Sequence, residues 1–147
     1  MEEIDKKVEE YSKFVKDTLR PDLLRAISQE QETATEISDY QELKQRLEEM
    51  IESDVSVNRL MSKVDLGHEK VYCRANITDA SRVFVHVGMG FHAELLLSEA
   101  IAFVDKRITF LESVLRYRSA KSTEIKDHVN ASELILDGLI NEKKRMS

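Results

Sequence analysis

The sequence predicts a mainly α-helical protein, a long antiparallel coiled-coil hairpin with two small β-hairpins at its bend. Three observations support this fold class. The 147 residues include only four glycines and one proline, and 34% are charged, a composition typical of long helices. Apolar residues of the C-terminal part alternate at intervals of three and four. Three glycines and many β-branched residues cluster between residues 67 and 90, which separates two helical arms.

The N-terminal arm is expected over about residues 3–62. Pro21 should kink or restart its helix, because proline lacks a backbone N–H and clashes with the preceding turn. A polar stretch, residues 29–36, interrupts the apolar pattern. The positions that would form the buried seam of this arm are Ile4, Val8, Tyr11, Val15, Tyr40, Leu43, Leu47, Met50, Val57 and Met61.

Residues 63–96 are expected to form the two β-hairpins, since period-two alternation flanks a glycine-containing turn in each half. The register that gives each hairpin one apolar face pairs Leu66 with Val71, Val64 with Cys73, Val87 with Phe91, Val85 with Ala93, and Val83 with Leu95. A solitary molecule cannot cover two such faces and their strand edges. We therefore expect these ten residues to form a surface for subunit assembly.

The C-terminal arm is expected over residues 97–145, with a seam of two positions per seven residues. Ten of its thirteen positions are apolar; the seam is Leu97, Ile101, Val104, Ile108, Leu111, Leu115, Arg118, Ser122, Ile125, Val129, Ser132, Leu136 and Leu139. Because neither arm can bury its seam alone, the two should pair antiparallel. Arg118 and Ser122 should then face the polar stretch and fix the register, a hinge being the alternative.

Several classes of function are disfavoured by composition and motifs. The net charge is −6 without a basic stripe, so we expect no direct binding of nucleic acid. The longest apolar run, residues 100–104, is too short to span a membrane. No catalytic, phosphate-binding or metal-binding motif is present, so we expect no enzyme activity, catalytic residue or cofactor. An acidic N-terminus and one cysteine favour the cytoplasm and nucleus.

Three further side chains could carry chemistry. His86 and His92 should lie opposite each other on the face away from Val85. Two imidazoles can bind a metal, but a structural site needs about four ligands, so we interpret both as solvent or interface residues and expect no metal site. Cys73 falls on an apolar face, which favours a packed thiol over a redox role.

The hairpin region resembles the α-type prefoldin subunits. The resemblance is carried by residues 64–67, 71–75, 82–91, 94 and 97–103, and the order of helix, two hairpins and helix extends it along the chain. It implies that the chain is one subunit of a heterohexamer of prefoldin and prefoldin-like subunits. In such a hexamer the hairpins form a β-barrel platform, and the coiled coils bind non-native client proteins. One departure is Leu96, where the family often has a threonine cap, so Ser98 or the preceding strand must cap the helix.

The resemblance therefore implies a non-catalytic α-type subunit of a prefoldin-like chaperone or co-chaperone complex. The alternative is a coiled-coil transcriptional cofactor that docks folded transcription regulators. A plain coiled-coil tether is a third reading, but a tether does not need the hairpins.

A client would be held at the end of the coiled coil far from the hairpins. If Met61 pairs near Leu97, Pro21 lies level with Gly138, and both residues weaken their helices. The apolar residues at this level exceed what a coiled-coil seam can bury. They are Leu19, Leu23, Leu24, Ile27, Leu134, Ile135, Leu139 and Ile140. An overpacked coil end or a contact with a neighbouring subunit is the alternative.

Overall fold

The structure is a computed structural model that describes residues 2–53, 60–67 and 69–146. Its helices are α1 (Glu2–Phe14), α2 (Arg20–Glu52) and α3 (Leu97–Met146), and its strands are β1 (Leu60–Asp65), β2 (Tyr72–Ile77), β3 (Arg82–Gly88) and β4 (Phe91–Leu96). The strands pair as two antiparallel hairpins, β1 with β2 and β3 with β4. This mainly helical fold with two small hairpins confirms the predicted fold class. Within the described residues, no helix has the length and apolar content for crossing a membrane.

A single π-helical turn, Val15–Leu19, joins α1 to α2 and ends two residues before Pro21. The Arg20 N–H donates to the carbonyl of Val15, five residues back. Proline has no N–H for the carbonyl four residues back, so the regular bonding pattern cannot continue through it. The interruption predicted at Pro21 thus takes the form of one wider helical turn.

By its contacts the chain divides into two units, residues 1–36 with 111–147, and residues 37–110. In the first unit, Arg20 pairs with Glu133 at 2.7 Å, and Arg118 donates to the carbonyl of Gln29 at 2.8 Å. Residue numbers fall along α3 as they rise along α2. The helices of this unit therefore pack antiparallel, as predicted.

The second unit repeats the antiparallel pairing. The Lys44 ammonium of α2 donates to Asp105 of α3 at 2.7 Å, and this bond raises the pKa of Lys44. Earlier in α2, the Tyr40 ring lies 6.0 Å from the guanidinium of Arg107, later in α3. The Lys44–Asp105 ion pair is partly exposed and contributes little to stability, and Tyr40 and Arg107 are half-buried. They show the direction of pairing, which the apolar seam stabilises.

All thirteen positions that the sequence predicts for the seam of α3 are buried or half-buried. The N-terminal seam is less regular. Five of its positions are buried or half-buried, namely Val8, Val15, Tyr40, Leu47 and Met50. Tyr11 and Leu43 are exposed. Val57 and the side chain of Ile4 lie outside the described residues.

The end of the N-terminal arm differs from the prediction. Helix α2 ends at Glu52 and Met61 lies in β1, so the helical arm does not extend to residue 62. Apolar residues spaced by four fit a helix, but Met61 also fits the alternation of a strand. The predicted level of Pro21 and Gly138 is therefore wrong as well. Arg20, next to Pro21, pairs with Glu133. Gly138 lies five residues, or roughly 7 Å, further along α3.

The core of the second unit lies between its helices and the β3–β4 hairpin. Leu47 of α2 and Leu97, Ala100 and Val104 of α3 form the buried cluster. Residues of the β3–β4 hairpin that pack against it are Val83, Val85 and Leu95. The 1% exposure of Ala100 shows that its small side chain is fully enclosed in this cluster.

Helix α3 begins at Leu97, which resolves the position of its cap. The Leu96 N–H donates to the Glu99 carboxylate at 2.9 Å, and the Leu97 N–H donates to the Ser81 carbonyl at 3.2 Å. Asp79 in turn accepts bonds from the N–H and hydroxyl of Ser81, which lower the pKa of Asp79. Glu99 therefore caps the helix through the N–H of Leu96, the residue before it, and the segment before β3 accepts the first helical N–H.

Candidate assembly and client-binding surfaces

The register of the β3–β4 hairpin agrees with the sequence except at its turn. Val83 pairs with Leu95, Val85 with Ala93, and His86 with His92. Phe91, however, pairs with Gly88 instead of Val87, because a β-bulge intervenes between His86 and Gly88. Gly88 and Met89 both have positive φ angles, +110° and +49°. This turn geometry accommodates the extra residue on β3.

The apolar face of the β3–β4 hairpin is mostly part of the chain's own core. Val83, Val85 and Leu95 are half-buried against the helices, and Ala93 is half-buried beside them. These four residues are therefore only partly exposed in the single chain, and their part in assembly stays a prediction. Alternation shows that one face of a hairpin is apolar, but it does not show whether helices of the same chain cover that face.

The exposed apolar side chains of this hairpin lie on the other face and at the turn. Phe84 is 74% exposed, Phe91 67% and Met89 95%. Val87 and Leu96 are also exposed. Of the residues predicted for assembly in this hairpin, Val87 and Phe91 are therefore the exposed ones, and the other four are half-buried. Phe84 was missed because it occupies the face that the sequence pattern assigns to polar residues such as His86 and Glu94.

The β1–β2 hairpin exposes the apolar residues that the sequence predicted. Val64 pairs with Cys73, and the Leu66 N–H donates to the Val71 carbonyl at 2.8 Å. Val64, Leu66 and Val71 are exposed, whereas Cys73 is half-buried and unbonded to another cysteine. Met61, Tyr72 and Ile77 are exposed as well. Asp65 shapes the turn by accepting the N–H groups of Gly67 and Glu69.

Together these side chains define what we call the hairpin surface. Its members are Met61, Val64, Leu66, Val71, Tyr72, Ile77, Phe84, Val87, Met89, Phe91 and Leu96. Each hairpin is a sheet of only two strands, so every described strand has one edge without a strand partner. Exposed apolar side chains combined with open strand edges are typical of a surface that another chain covers.

In the first unit, a polar layer crosses the seam where the sequence predicted it. Arg118 donates to the Gln29 carbonyl at 2.8 Å and to the Thr33 hydroxyl at 2.6 Å. Ser122 donates to the Glu30 carboxylate at 2.6 Å. Thr33 is 2% exposed and Ser122 is 8% exposed. A buried layer in which each polar group has its partner penalises any other alignment of the helices, which supports the register-setting interpretation.

The polar layer predicts a pH dependence of stability. Hydrogen bonds from Ser122 and Ser119 lower the pKa of Glu30. Because the pKa of Glu30 is lower in the folded chain, its ionised carboxylate stabilises the fold. This contribution to the free energy of unfolding is complete above the pKa of the unfolded chain, about 4.3. It is lost as the pH falls through the pKa of the folded chain. Between about pH 5 and pH 3, the melting temperature of a Glu30→Gln variant should therefore fall less than that of the wild type.

Circular dichroism at a series of pH values measures this difference. Glu112→Gln, at an exposed position of α3 in the same unit, is the matched control and should follow the wild-type curve. Identical acid sensitivity of Glu30→Gln and the wild type would show that the Ser122 bond does not contribute to folding.

The residues predicted to hold clients divide into two groups in the first unit. Leu19, Leu23, Ile27 and Leu139 are half-buried. The exposed members, which we call the arm surface, are Leu24 (69% exposed), Leu134 (73%), Ile135 and Ile140. The seam thus leaves apolar side chains exposed on both α2 and α3. This agrees with the prediction that this region has more apolar residues than a coiled-coil seam can bury.

An apolar groove of about 400 Å³ lies in the second unit between β3 and the helices. Tyr40 and Leu43 of α2 and Phe103 of α3 line it, together with Phe84 and His86 of β3. No sequence pattern indicates this groove, because it results from the packing of three separate elements.

The comparisons with known proteins place the chain in a family. Residues 23–142 match the family described as Prefoldin subunit. Because this match covers most of the chain, the chain belongs to the prefoldin family. The family resemblance stated from the hairpin residues is therefore confirmed.

Within that family, the chain is similar to proteins named UXT. It is 32% identical over 137 residues to the UXT homolog of Nematostella vectensis, covering 93% of this chain and 84% of that protein. It is 30% identical over 139 residues to human protein UXT, covering 95% and 85%. The cryo-EM structure of filamentous PFD from Methanocaldococcus jannaschii aligns with a TM-score of 0.48 and 19% identity, covering 80% of this chain and 98% of that one.

Proposed function

We propose that the chain is a non-catalytic α-type subunit of a prefoldin-like chaperone or co-chaperone complex. In this complex the hairpin surface contacts other prefoldin and prefoldin-like subunits, in the hexamer that the family resemblance implies. The observation that carries the proposal is the exposure of Phe84, Met89 and Phe91 beside open strand edges. Burying a side chain of this size stabilises an interface by about 1.5–3 kcal/mol.

The arm surface is the proposed site for unfolded or partly assembled client proteins. Its aliphatic side chains are exposed on two helices, and they contact non-native segments through the hydrophobic effect, which needs no defined sequence. A site of this kind suits clients that share exposed apolar residues and no common fold.

Replacing Leu24 and Ile135 with serine tests the client site. Both side chains are exposed, so the variant should fold and assemble normally, while its suppression of client aggregation should weaken by about half or more. Light scattering of a denatured model client measures this suppression. Ala120→Ser, an exposed position of α3 in the same unit, is the control and should retain full suppression. Full suppression by the double variant would assign these residues a structural role.

Native mass spectrometry of the tagged chain purified from its own cells tests the proposed function as a whole. We expect a hetero-oligomer that contains β-type prefoldin subunits. Recovery in a transcription complex without prefoldin subunits would contradict the chaperone proposal.

That contradicting outcome is the one expected for a transcriptional adaptor. The observation that favours the adaptor is the apolar groove beside Tyr40 and Phe103, which could take one apolar segment of a folded regulator. Both functions are proposed for the cytoplasm and nucleus, where the single Cys73 would remain reduced.

A further inference from the structure

His86 and His92 form a cross-strand pair on the exposed face of the β3–β4 hairpin. They lie directly opposite each other in the register, and their ring centres are 5.0 Å apart with the ring planes inclined at 63°. On the opposite face, the neighbouring Val85–Ala93 pair is half-buried and holds the two strands in this register. The backbone positions of the two imidazoles are therefore fixed by the core, although both side chains are exposed.

The separation of the rings fits two imidazoles that share one metal ion. A zinc–nitrogen bond is about 2.0–2.1 Å, and an imidazole nitrogen lies about 1.2 Å from its ring centre. Two imidazoles at right-angled or tetrahedral positions around one ion then have ring centres about 4.6–5.3 Å apart. The observed 5.0 Å falls within this range.

Both imidazoles are available for coordination. Among the described residues, the only interaction recorded for either ring is their contact with each other. His128 of α3 differs, since it lies 3.9 Å from the Glu124 carboxylate. No group of three or more His, Cys, Asp or Glu side chains suited to one metal occurs in the described parts of the chain. Within the described residues, a metal bound by His86 and His92 therefore has water as its remaining ligands.

We propose that His86 and His92 form a two-histidine chelate for a divalent transition metal, with zinc, nickel or copper as the class of ion that imidazole prefers. In the uncomplexed chain the site is an exchangeable surface chelate, which differs from the four-ligand structural site that the sequence argues against. Bound metal links β3 to β4 and so stabilises the hairpin, because it binds the paired strands and not the separated ones.

Titration of the full chain with Ni²⁺ alone, followed by isothermal calorimetry, tests this proposal. We expect one tight site per chain in the wild type. The affinity for Ni²⁺ should weaken about tenfold or more in His86→Gln and in His92→Gln, because each variant loses one of the two metal ligands. The controls His128→Gln and Cys73→Ser should bind as the wild type does.

A second measurement separates chelation from any effect of the substitutions on folding. Hydrogen exchange of the amides of residues 82–96 should slow on addition of Ni²⁺ in the wild type and should not change in His92→Gln. Two results would overturn the proposal. One is equal affinity of the wild type and both hairpin variants. The other is loss of the tight site in His128→Gln or Cys73→Ser.

Discussion

Replacing Val85 with aspartate is expected to detach the β3–β4 hairpin from the helices of the second unit. Val85 packs against the buried cluster that includes Ala100 and Val104, so the variant places an unpaired carboxylate in an apolar contact. We expect a cost of about 3 kcal/mol. Since about 1.4 kcal/mol corresponds to a factor of ten, hydrogen exchange of the amides of residues 82–96 should accelerate by about a hundredfold.

Phe84→Asp is the matched control for this prediction, because it introduces the same carboxylate one residue away on the exposed face. It should change the exchange of the same amides by less than about tenfold. Equal acceleration in the two variants would contradict the assignment of Val85 to the core and Phe84 to the surface.

Local patterns of the sequence were sufficient to predict the helical seam and most of the strand pairing. All thirteen positions of α3 that the alternation at intervals of three and four identified are buried or half-buried, including the polar Arg118 and Ser122. Period-two alternation identified the Val64–Cys73 and Val85–Ala93 pairs. Both patterns are consequences of helix and strand geometry, so short segments carry them.

Two errors arose where a local pattern fits more than one backbone conformation. The apolar spacing leading to Met61 fits either a helix or a strand, and the resulting error in the end of α2 displaced Pro21 from the level of Gly138. The β-bulge at Val87 depends on the positive φ angles of Gly88 and Met89. Such backbone conformations follow from the turn as a whole.

The candidate assembly surface was predicted only in part for a related reason. The sequence shows that Val83 and Val85 share an apolar face with Leu95, but the helices that cover this face are distant in the chain. Phe84 lies opposite Glu94 and next to His86 on its face, so alternation gives it little weight. Only the packed structure distinguishes the apolar side chains that complete the core from those left for a partner.

Assembly should therefore fail when charge is placed on the hairpin surface, even though the chain remains folded. A Phe84→Asp and Phe91→Asp double variant changes two side chains that are 74% and 67% exposed. In a complex that buries both, two desolvated carboxylates without partners cost several kcal/mol, on the order of a hundredfold or more in affinity. Tyr117→Asp, at a 72% exposed aromatic residue of α3, is the matched control and should assemble normally.

Native mass spectrometry of these variants after co-expression with β-type prefoldin subunits tests most directly the claim that the exposed hairpin residues carry assembly. Hydrogen exchange of residues 82–96 in the uncomplexed chain first verifies that the double variant retains its hairpin. The account predicts that the wild type and Tyr117→Asp enter the hetero-oligomer, whereas the folded double variant stays out of it. Incorporation of the double variant at the wild-type level would contradict the account.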